Sequence, residues 1–509
     1  MKNNIFNKVL STNKIFWKDN INNNDSSGTL LYEAMYTEQA MIYGISKTAL
    51  IISNILNLTP ICIRGINSTN KNIDLVKSMN SNVIGSKFDF IMSFINNVFS
   101  IFQAWNSINC RNDLLDLNVG KYQIGCYIYD HILRRHNSPT LDKFDFKVKL
   151  NILMEIGYFF FFKSVVKRKN VKFIIIGDYV YRYGLLFEIC KQNAIPCVSP
   201  INLNAFSMRK FITQSDYKVH DRTPDENILK TLEDKIIDER LTEYFDDRFC
   251  ASIEQHDVIN AFSSNKKIFT REELIGKYNL NKNKPIVVIM AHIFCDAPHA
   301  YPNTLYDDYY EWVKQTVTNL EKNTNVNFLV KEHPSAHLYN ECGILKELLQ
   351  NLGFEQYLID GETHTLSILN ECNAVITCGG TIGQEFIYKG KQVVLAAKPP
   401  YSGFGLTTEF DTKNDYELFL RTNMFISLSL SEAKKSMAKK VIYYEFMLLD
   451  NYSNSLEIGG QRYFLGRKFD YDKFYNSIIK YNQTPLNQQK VFKLLQKYID
   501  SNNSHLISK

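Results

Sequence analysis

The sequence predicts an α/β protein with two Rossmann-like domains that face a cleft. A chain of 509 residues is too long for one ordinary core. In both halves, strand-length apolar runs alternate with stretches of helical period, which is the order of a layered α/β domain. Hydrophobic residues make up 45% of the chain, so two cores can be filled and a mainly disordered chain is excluded.

We expect four segments along the chain. The first is rich in Asn and Lys and predicts a loose lead-in, and the last predicts helices that pack back across the domain interface. We place the main boundary where a charged helical stretch gives way to a polar turn. The segments are residues 1–25 (lead-in), 26–275 (N-terminal Rossmann-like domain), 276–465 (C-terminal Rossmann-like domain) and 466–509 (C-terminal helices).

A β-α-β unit is the clearest feature of the N-terminal domain. The apolar run Val171–Ile176 is followed by Gly177 and Asp178, then by an amphipathic helix and a second strand, Ile195–Val198. Two strands joined in this way lie parallel. The loop after the first strand therefore lies at the edge where such sheets bind ligands.

Strands and helices alternate even more regularly in the C-terminal half. Strand candidates are PIVVIMA, VNFLVKE, QYLI, NAVITC and QVVLAA, separated by helical stretches such as YYEWVKQTVTNLEK. Continuous apolar runs of this kind are typical of strands buried in a parallel sheet. The ligand site is then expected beyond the carboxyl ends of these strands.

Charge, cysteines and hydropathy narrow the class of protein. The net charge of +6 is spread along the chain without a dense basic stripe, which argues against binding of nucleic acid. The same charge is compatible with a peripheral position on an anionic membrane. Ten cysteines without a metal-binding spacing predict buried thiols in a reducing compartment. Neither a signal peptide nor a run of ~20 apolar residues is evident. We therefore expect a cytoplasmic protein.

Four clusters of polar residues follow successive C-terminal strands. Singly, each has an ordinary explanation as a turn or a helix cap. Together, at the ligand-binding edge of one sheet, they predict a site. In chain order the clusters are His292, Asp296 and His299; Lys331, Glu332, His333, Pro334 and His337; Asp360, Glu362 and His364; and Gly379, Gly380, Thr381 and Glu385.

The chemistry of these clusters suits a nucleotide. Gly379, Gly380 and Thr381 at a helix start offer backbone N–H groups and a hydroxyl to a phosphate. Glu385 is suited to accept hydrogen bonds from ribose hydroxyls. His333, followed by Pro334, is suited to donate to a phosphate oxygen or, as a catalytic acid, to protonate the leaving phosphate. The absence of GxxxxGK[ST] and of a GxGxxG after a strand disfavours ATP and dinucleotides.

At these residues the sequence resembles bacterial capsule-polysaccharide biosynthesis proteins, including the Kdo transferases. Those are glycosyltransferases of the GT-B fold that use CMP-sugars. The KEHP stretch resembles the His-Pro motif of bacterial GT-B sialyltransferases, which contacts the CMP phosphate, and CGGTIGQE resembles their Ser/Thr motif. The segment IGCYIYDHILRR, with Asp130, resembles a Gly-Asp-x-Ile-Tyr-Asp stretch of capsule proteins, although Cys126 replaces its first acidic residue.

The resemblance implies roles for the remaining candidates. Asp296 stands where retaining Kdo transferases are proposed to carry their nucleophile, and a carboxylate there stabilises or captures an oxocarbenium-like centre. Lys331 is suited to pair with the carboxylate of the donor. On the donor-sugar side we also expect His292 and His299. On the acceptor side we expect Asp178, as a binding group or general base, together with Asp130, Arg182 and Tyr183.

We therefore predict transfer of a 3-deoxy-2-ulosonic acid (Kdo, pseudaminic, legionaminic or sialic acid) from its CMP donor to a glycan or glycolipid acceptor. The only Asp-x-Asp, Asp470-Tyr471-Asp472, follows no predicted strand and indicates a helix start, so no metal and no cofactor are expected. Alternatives left open are a UDP-sugar transferase or epimerase, a CDP-alcohol polymer transferase and a non-catalytic scaffold. Inversion or retention also stays open.

Overall fold

The computed structural model describes residues 2–20, 26–202, 207–253, 256–423, 425, 431–449, 464–465 and 468–507. The chain forms two compact units, each considered by itself below. Unit 1 consists of Met1–Ile128, Phe144–Asp225 and Phe446–Lys509, and unit 2 of Tyr129–Lys143 and Glu226–Glu445.

Strands and helices are numbered in chain order. The strands are β1 (Thr29–Ala34), β2 (Thr59–Arg64), β3 (Asn82–Ile84), β4 (Asn118–Val119), β5 (Tyr122–Gln123), β6 (Val171–Ile175), β7 (Cys197–Asn202), β8 (Ser207–Phe211), β9 (Ile286–Met290), β10 (Asn327–Lys331), β11 (Leu358–Ile359), β12 (Ala374–Thr377), β13 (Gln392–Leu395), β14 (Phe464–Leu465), β15 (Lys468–Phe469) and β16 (His505–Leu506). The helices are α1 (Lys2–Asn20), α2 (Gln39–Leu56), α3 (Asn70–Ser78), α4 (Lys87–Asn96), α5 (Val98–Asn106), α6 (Arg111–Leu115), α7 (Gly125–His136), α8 (Phe146–Arg168), α9 (Tyr181–Asn193), α10 (Glu226–Lys230), α11 (Asp234–Phe249), α12 (His256–Ala261), α13 (Arg271–Lys277), α14 (Tyr309–Leu320), α15 (Ile344–Leu352), α16 (Thr365–Glu371), α17 (Ile382–Tyr388), α18 (Lys413–Thr422), α19 (Glu432–Tyr443), α20 (Tyr471–Tyr481) and α21 (Lys490–Asp500).

Unit 1 is built on a seven-stranded sheet in the order β16-β8-β7-β6-β1-β2-β3. Strands β1, β2, β3, β6 and β7 run parallel, whereas β8 and β16 are antiparallel to their neighbours. All six residues of β1 are buried, as expected for a central strand covered on both faces. The predicted β-α-β unit is confirmed as β6, α9 and β7, whose strands pair in parallel.

The two ends of the chain contribute to the core of unit 1, and this corrects one expectation. In place of a loose lead-in, Lys2–Asn20 is the helix α1, with Phe6, Val9, Phe16 and Trp17 buried. These positions recur at helical spacing, which gives α1 an apolar stripe that the Asn and Lys content obscures. The buried residues of α20 and α21 belong to the same core.

Unit 2 contains a five-stranded sheet in the order β11-β10-β9-β12-β13, with every pair parallel. All five strands predicted in the C-terminal half are confirmed. With two units that each carry a largely parallel sheet and flanking helices, the predicted α/β class is confirmed as well.

Unit 2 also includes chain that we expected in the N-terminal domain. The division falls at Asp225 and Glu226 instead of near residue 275. The reason is that α11 packs on α17: the ring of Phe245 stacks on that of Tyr388 with centroids 3.9 Å apart.

Helix α8 includes the largely apolar stretch Ile152–Val166 and is 23 residues long. Among the helices in the described ranges, none is long and apolar enough to cross a membrane.

Candidate functional site

A pocket in unit 2 lies beyond the carboxyl ends of β9, β10 and β12, which is the edge where the sequence places the ligand. The empty space within it is about 620 Å³, which includes open solvent at its mouth. The lining residues are Arg248, Ala261, Phe262, Met290, Ala291, His292, Lys331, His333, Pro334, Thr365, Thr377, Gly380, Thr381, Ile382 and Glu385.

The predicted site residues divide into three groups. Those that line the pocket are His292, Lys331, His333, Pro334, Gly380, Thr381 and Glu385. Those elsewhere in unit 2 are Gly379, Asp296, His299 and Asp130. Those in unit 1 are Asp178, Arg182 and Tyr183.

His333 is held in one tautomer. Its Nδ1 accepts a hydrogen bond of 3.2 Å from the backbone N–H of Ser335. A neutral imidazole that accepts at Nδ1 carries its proton on Nε2. His333 therefore has an N–H donor on a ring that lines the pocket, as hydrogen bonding to a phosphate oxygen requires.

His292 organises the Gly-Gly loop. Its Nε2 accepts from the backbone N–H of Gly379 (3.2 Å) and lies 3.1 Å from the hydroxyl of Thr377, which in turn accepts from the N–H of Gly380 (3.2 Å). Burial lowers the pKa of His292 to about 3, and His333 adds to this effect whenever it is protonated. The ring is therefore a neutral acceptor that holds the loop, and the N–H groups of both glycines are engaged inside the protein.

Two tyrosines brace the same loop. The hydroxyl of Tyr301 donates to the carbonyl of Gly379 (3.1 Å) and that of Tyr401 to the carbonyl of Gly380 (2.8 Å). A Cβ on Gly379 would lie only 2.6 Å from the Tyr301 ring, so glycine is required there by close approach. Neither tyrosine was among the residues predicted from the sequence.

Glu385 forms a buried ion pair with Arg248. Its Oε1 accepts from Nε and NH2 of Arg248, both at 2.8 Å, and both side chains are almost fully buried. Burial raises the pKa of Glu385, and the charge of Arg248 opposes that rise. Among the described residues, Oε2 of Glu385 has no hydrogen-bond partner. It is a buried acceptor on a residue that lines the pocket, as the predicted contact with ribose hydroxyls requires.

Arg248 was also missed, although the sequence carries a signal for it. The buried residues of α11 are Ile237, Leu241, Phe245 and Arg248, which share one helical face. A cation on the apolar face of an amphipathic helix needs a buried partner. That partner is Glu385.

Lys331, the last residue of β10, is buried. Its Nζ donates to the carbonyl of Thr363 at 2.8 Å. Burial, with the nearby charge of Lys266, lowers the pKa of Lys331 to about 7. A carboxylate brought into the pocket would favour the charged form of this amine.

Asp296 lies on the loop that follows β9, and the loop is pinned on both sides of it. Before Asp296, the carboxylate of Glu341 accepts from the N–H groups of Phe294 and Cys295, both at 2.8 Å. After it, Ala297 adopts a φ of 43°, a conformation that costs energy for a residue with a side chain. Asp296 itself is exposed. The loop therefore presents this carboxylate in a fixed backbone.

Asp130 of α7 also holds the loop that carries Asp296, through His299. Its Oδ1 accepts from Nδ1 of His299 at 2.7 Å and its Oδ2 from the backbone N–H of His299 at 3.2 Å. Burial raises the pKa of Asp130, and the charge and hydrogen bonds of His299 oppose that rise. Both oxygens of Asp130 are thus directed to His299, which favours a role through His299 over direct contact with an acceptor.

The three candidates of unit 1 lie around the loop after β6. Asp178 accepts from the N–H groups of Tyr179 (2.7 Å) and Val180 (3.3 Å), as a loop-capping residue does. The guanidinium of Arg182 forms a double hydrogen bond with Glu155. Tyr183 stacks on Tyr36, with ring centroids 5.4 Å apart.

Glu33 of β1 holds this loop in place. It was not among the residues predicted from the sequence. Its oxygens accept from the N–H groups of Gly177 (2.7 Å) and Met35 (3.0 Å), and the side chain is fully buried. Burial raises the pKa of Glu33 to about 7. The loop therefore rests on a titratable buried carboxylate.

Within the described ranges, no group of three or more His, Cys, Asp and Glu side chains is placed to hold a metal ion. Asp470 caps the start of α20, where its side chain accepts from the N–H of Lys473 at 2.9 Å.

Residues 212–446 match the model of a family described as capsule polysaccharide biosynthesis protein. The matched range contains every residue that lines the pocket. This match confirms the resemblance predicted from the motifs at the strand ends. The comparison with curated proteins gave no match.

Solved structures with some similarity include glycosyltransferases. KpsC of Thermosulfurimonas dismutans, a beta Kdo 2,4 transferase, is 14% identical over 53% of this chain and 79% of its own, with a TM-score of 0.33. A glycosyltransferase from Rickettsia africae is 11% identical over 90% of this chain and 99% of its own, with a TM-score of 0.27. HepE of Anabaena, solved with UDP-glucose, is 8% identical over 90% of this chain and 99% of its own, with a TM-score of 0.24.

Proposed function

We propose that this chain is a metal-independent GT-B glycosyltransferase. It transfers a 3-deoxy-2-ulosonic acid (Kdo, pseudaminic, legionaminic or sialic acid) from a CMP-activated donor to a glycan or glycolipid acceptor in surface-polysaccharide assembly. The proposal joins the family match over residues 212–446 to the chemistry of the pocket in unit 2.

One observation carries the proposal: a donor and an acceptor of the right kind line the same pocket at the ligand-binding edge of a parallel sheet. His333 carries an Nε2–H for a phosphate oxygen, and Glu385 has an unpartnered Oε2 for ribose hydroxyls. The hydroxyl of Thr381 completes the nucleotide side, on a loop whose glycine peptides are held from within the protein. Lys331 is buried and has a pKa of about 7, and we assign it to the carboxylate of the ulosonic acid.

Asp296 and His299 are the proposed catalytic pair. In the first step the Asp296 carboxylate forms a bond to C2 of the sugar while the C2–O bond to CMP breaks, and CMP leaves with the electron pair. In the second step the acceptor hydroxyl attacks C2, its proton passes to Nε2 of His299, and the bond to Asp296 breaks. The outcome is retention of configuration.

Asp130 is the positioning residue of this scheme. By accepting from Nδ1 of His299 it leaves Nε2 unprotonated and therefore basic, and it stabilises the imidazolium that forms. Asp178, Arg182 and Tyr183 stay our proposed acceptor residues in unit 1, with Arg182 acting through its pair with Glu155. We place the enzyme in the cytoplasm, peripheral to the inner face of the membrane.

The first experiment measures thermal stabilisation of the purified protein by CMP, CDP, UDP and GDP at equal millimolar concentration. A ligand at about 100 times its dissociation constant adds roughly 2.7 kcal/mol of stability, enough for a clear shift in Tm. We expect CMP to stabilise most, and His333→Ala to abolish the shift. The control is His337→Ala, which changes a histidine four positions on that is absent from the pocket lining.

Two results would contradict the proposal in different ways. Stabilisation by UDP without CMP would overturn the donor and favour a UDP-sugar transferase or epimerase. No stabilisation by any nucleotide would favour a non-catalytic scaffold. If CMP binds, release of CMP from a panel of CMP-ulosonic acids identifies the sugar.

A further inference from the structure

A second surface of unit 1 exposes large apolar side chains in an unusual concentration. They lie on α4, on α5 and on the first turns of α8, and Phe99 and Phe146 are 89% and 81% exposed. We name this surface the α4–α5 face. Its apolar members are Phe88, Ile91, Met92, Ile95, Phe99, Phe102, Phe146 and Leu150.

The opposite sides of the same helices are packed against α8. The ring of Phe90 lies 4.7 Å from that of Tyr158, and Nε1 of Trp105 donates to the carbonyl of Lys149 at 2.8 Å. Ile101 is fully buried. Both helices are therefore apolar on their inner and on their outer sides, so their core packing does not account for the exposed stripe.

The stripe has helical spacing and contains no charge. Its members on α4 and α5 recur every three or four residues, which aligns them along one side of the two consecutive helices. From Phe90 to Cys110 the sequence contains no Asp, Glu, Lys or Arg. Exposed residues between the apolar ones are uncharged as well: Asn96, Ser100, Gln103 and Asn106. A contiguous apolar surface of this kind marks an interaction site.

The charges at the margin indicate the partner. Lys87, Lys147 and Lys149 border the face at the starts of α4 and α8. The carboxylates nearby serve as helix caps: Asp89 accepts from the N–H groups of Gly85 and Ser86, and Asp145 from that of Val148. Three lysines against these two hydrogen-bonded carboxylates leave the margin with a net positive charge, which favours an anionic partner.

We propose that the α4–α5 face binds the surface of a lipid bilayer that contains anionic lipid. The two helices would lie in the plane of the interface, with the phenylalanines inserted at the headgroup boundary and the lysines against anionic headgroups. A second copy of the chain fits less well, because a symmetric pairing through this face would bring its lysines toward one another.

The test is co-sedimentation of the full chain with vesicles of phosphatidylcholine alone and with about one-third phosphatidylglycerol. We expect binding to the anionic vesicles, reduced by added salt. The double variant Ile95→Ser/Phe99→Ser should lower the partition coefficient at least ~10-fold. Lys147→Gln/Lys149→Gln should lower it by several-fold and weaken its dependence on salt. The control is Leu418→Ser, which removes from α18 of unit 2 an apolar side chain about as exposed as Ile95.

The measurement is independent of the proposed transferase activity. Because the substituted residues are exposed, apart from the half-buried Lys149, the melting temperature and the nucleotide-induced shift should be unchanged in each variant. Equal partition of wild type and the Ile95→Ser/Phe99→Ser variant, or no binding of wild type to anionic vesicles, overturns the proposal. A dimer in solution that this variant dissociates would assign the face to a second copy instead.

Discussion

His299 Nδ1 lies 2.7 Å from Oδ1 of Asp130, a residue 169 positions earlier in the chain. The pair joins the segment Tyr129–Lys143 to the loop after β9, within unit 2. The hydroxyls of Tyr129 and Thr140 reinforce this junction by donating to the Asp308 carboxylate at 2.6 and 2.7 Å. The loop that presents Asp296 therefore depends on residues that the sequence places in the other half of the protein.

The first prediction concerns Asp130→Asn. The amide keeps the size of the side chain but can donate to Nδ1, which favours the wrong tautomer of His299. We expect kcat for transfer to fall roughly 10²-fold or more, with KM for the CMP-sugar little changed. Steady-state kinetics measure both constants. Asp142→Asn, an exposed change on the same segment, is the control, and similar rates for the two variants would remove Asp130 from the mechanism.

Arg248→Ala should destabilise the protein strongly. The substitution leaves the Glu385 carboxylate buried without its cation, which costs about 3–5 kcal/mol in comparable cases. Urea denaturation followed by tryptophan fluorescence measures the loss. Glu385→Gln should be milder in stability and weaken CMP binding roughly 10-fold, because it removes the charged acceptor for ribose hydroxyls. If Arg248→Ala melts like wild type, the ion pair does not hold this wall of the pocket.

Gly379→Ala tests the bracing of the Gly-Gly loop by tyrosine. The added Cβ would meet the Tyr301 ring at 2.6 Å, and overpacking of this kind costs about 1–3 kcal/mol. We expect a lower Tm and a weaker shift with CMP. Gly276→Ala is a matched control, because a Cβ there meets nothing within 4 Å. Restored stability in Gly379→Ala/Tyr301→Ala would identify the ring as the cause, whereas a wild-type Tm for Gly379→Ala would exclude it.

The sheet of unit 2 could be predicted from sequence because its strands are buried on both faces. They read as continuous apolar runs, and each ends in a polar cluster that the parallel topology brings to one edge. His333 and Glu385 were found in this way. Their proposed roles were predicted from residue type and from position, just after a strand for His333 and in the first turn of a helix for Glu385, which is local information.

The parts that escaped prediction depend on contacts between distant positions. No local pattern pairs Asp130 with His299, or Glu341 with the N–H groups of Phe294 and Cys295. Arg248 had a local signal, its position on the apolar face of α11, but its partner on α17 is fixed only by packing. The helical stripe of α1 was present in the sequence and was outweighed by its polar composition.

Glu33 should make stability depend on pH. Its pKa is about 7 in the folded protein against an ordinary value of 4.5, so between these two values the native state holds a proton that the unfolded state has released. Stability therefore falls as pH rises through this window, by about 3 kcal/mol from this group. Glu33→Gln should flatten that slope in urea denaturation from pH 4.5 to 7.5. Glu38→Gln, an exposed control, should not, and equal slopes in all three proteins would refute the assignment.

Asp296→Ala separates nucleotide binding from chemistry. Asp296 is exposed and absent from the pocket lining, so CMP should stabilise the variant as it does wild type. Transfer should fall by roughly 10³-fold or more, because the carboxylate that captures the anomeric centre is gone. Asp246→Ala, an exposed change on α11, should retain the wild-type rate. With wild type and a slow acceptor, mass spectrometry of the quenched protein should detect one ulosonic acid attached at Asp296. A near-normal rate for Asp296→Ala would rule out the covalent route and leave direct displacement by an acceptor that His299 deprotonates.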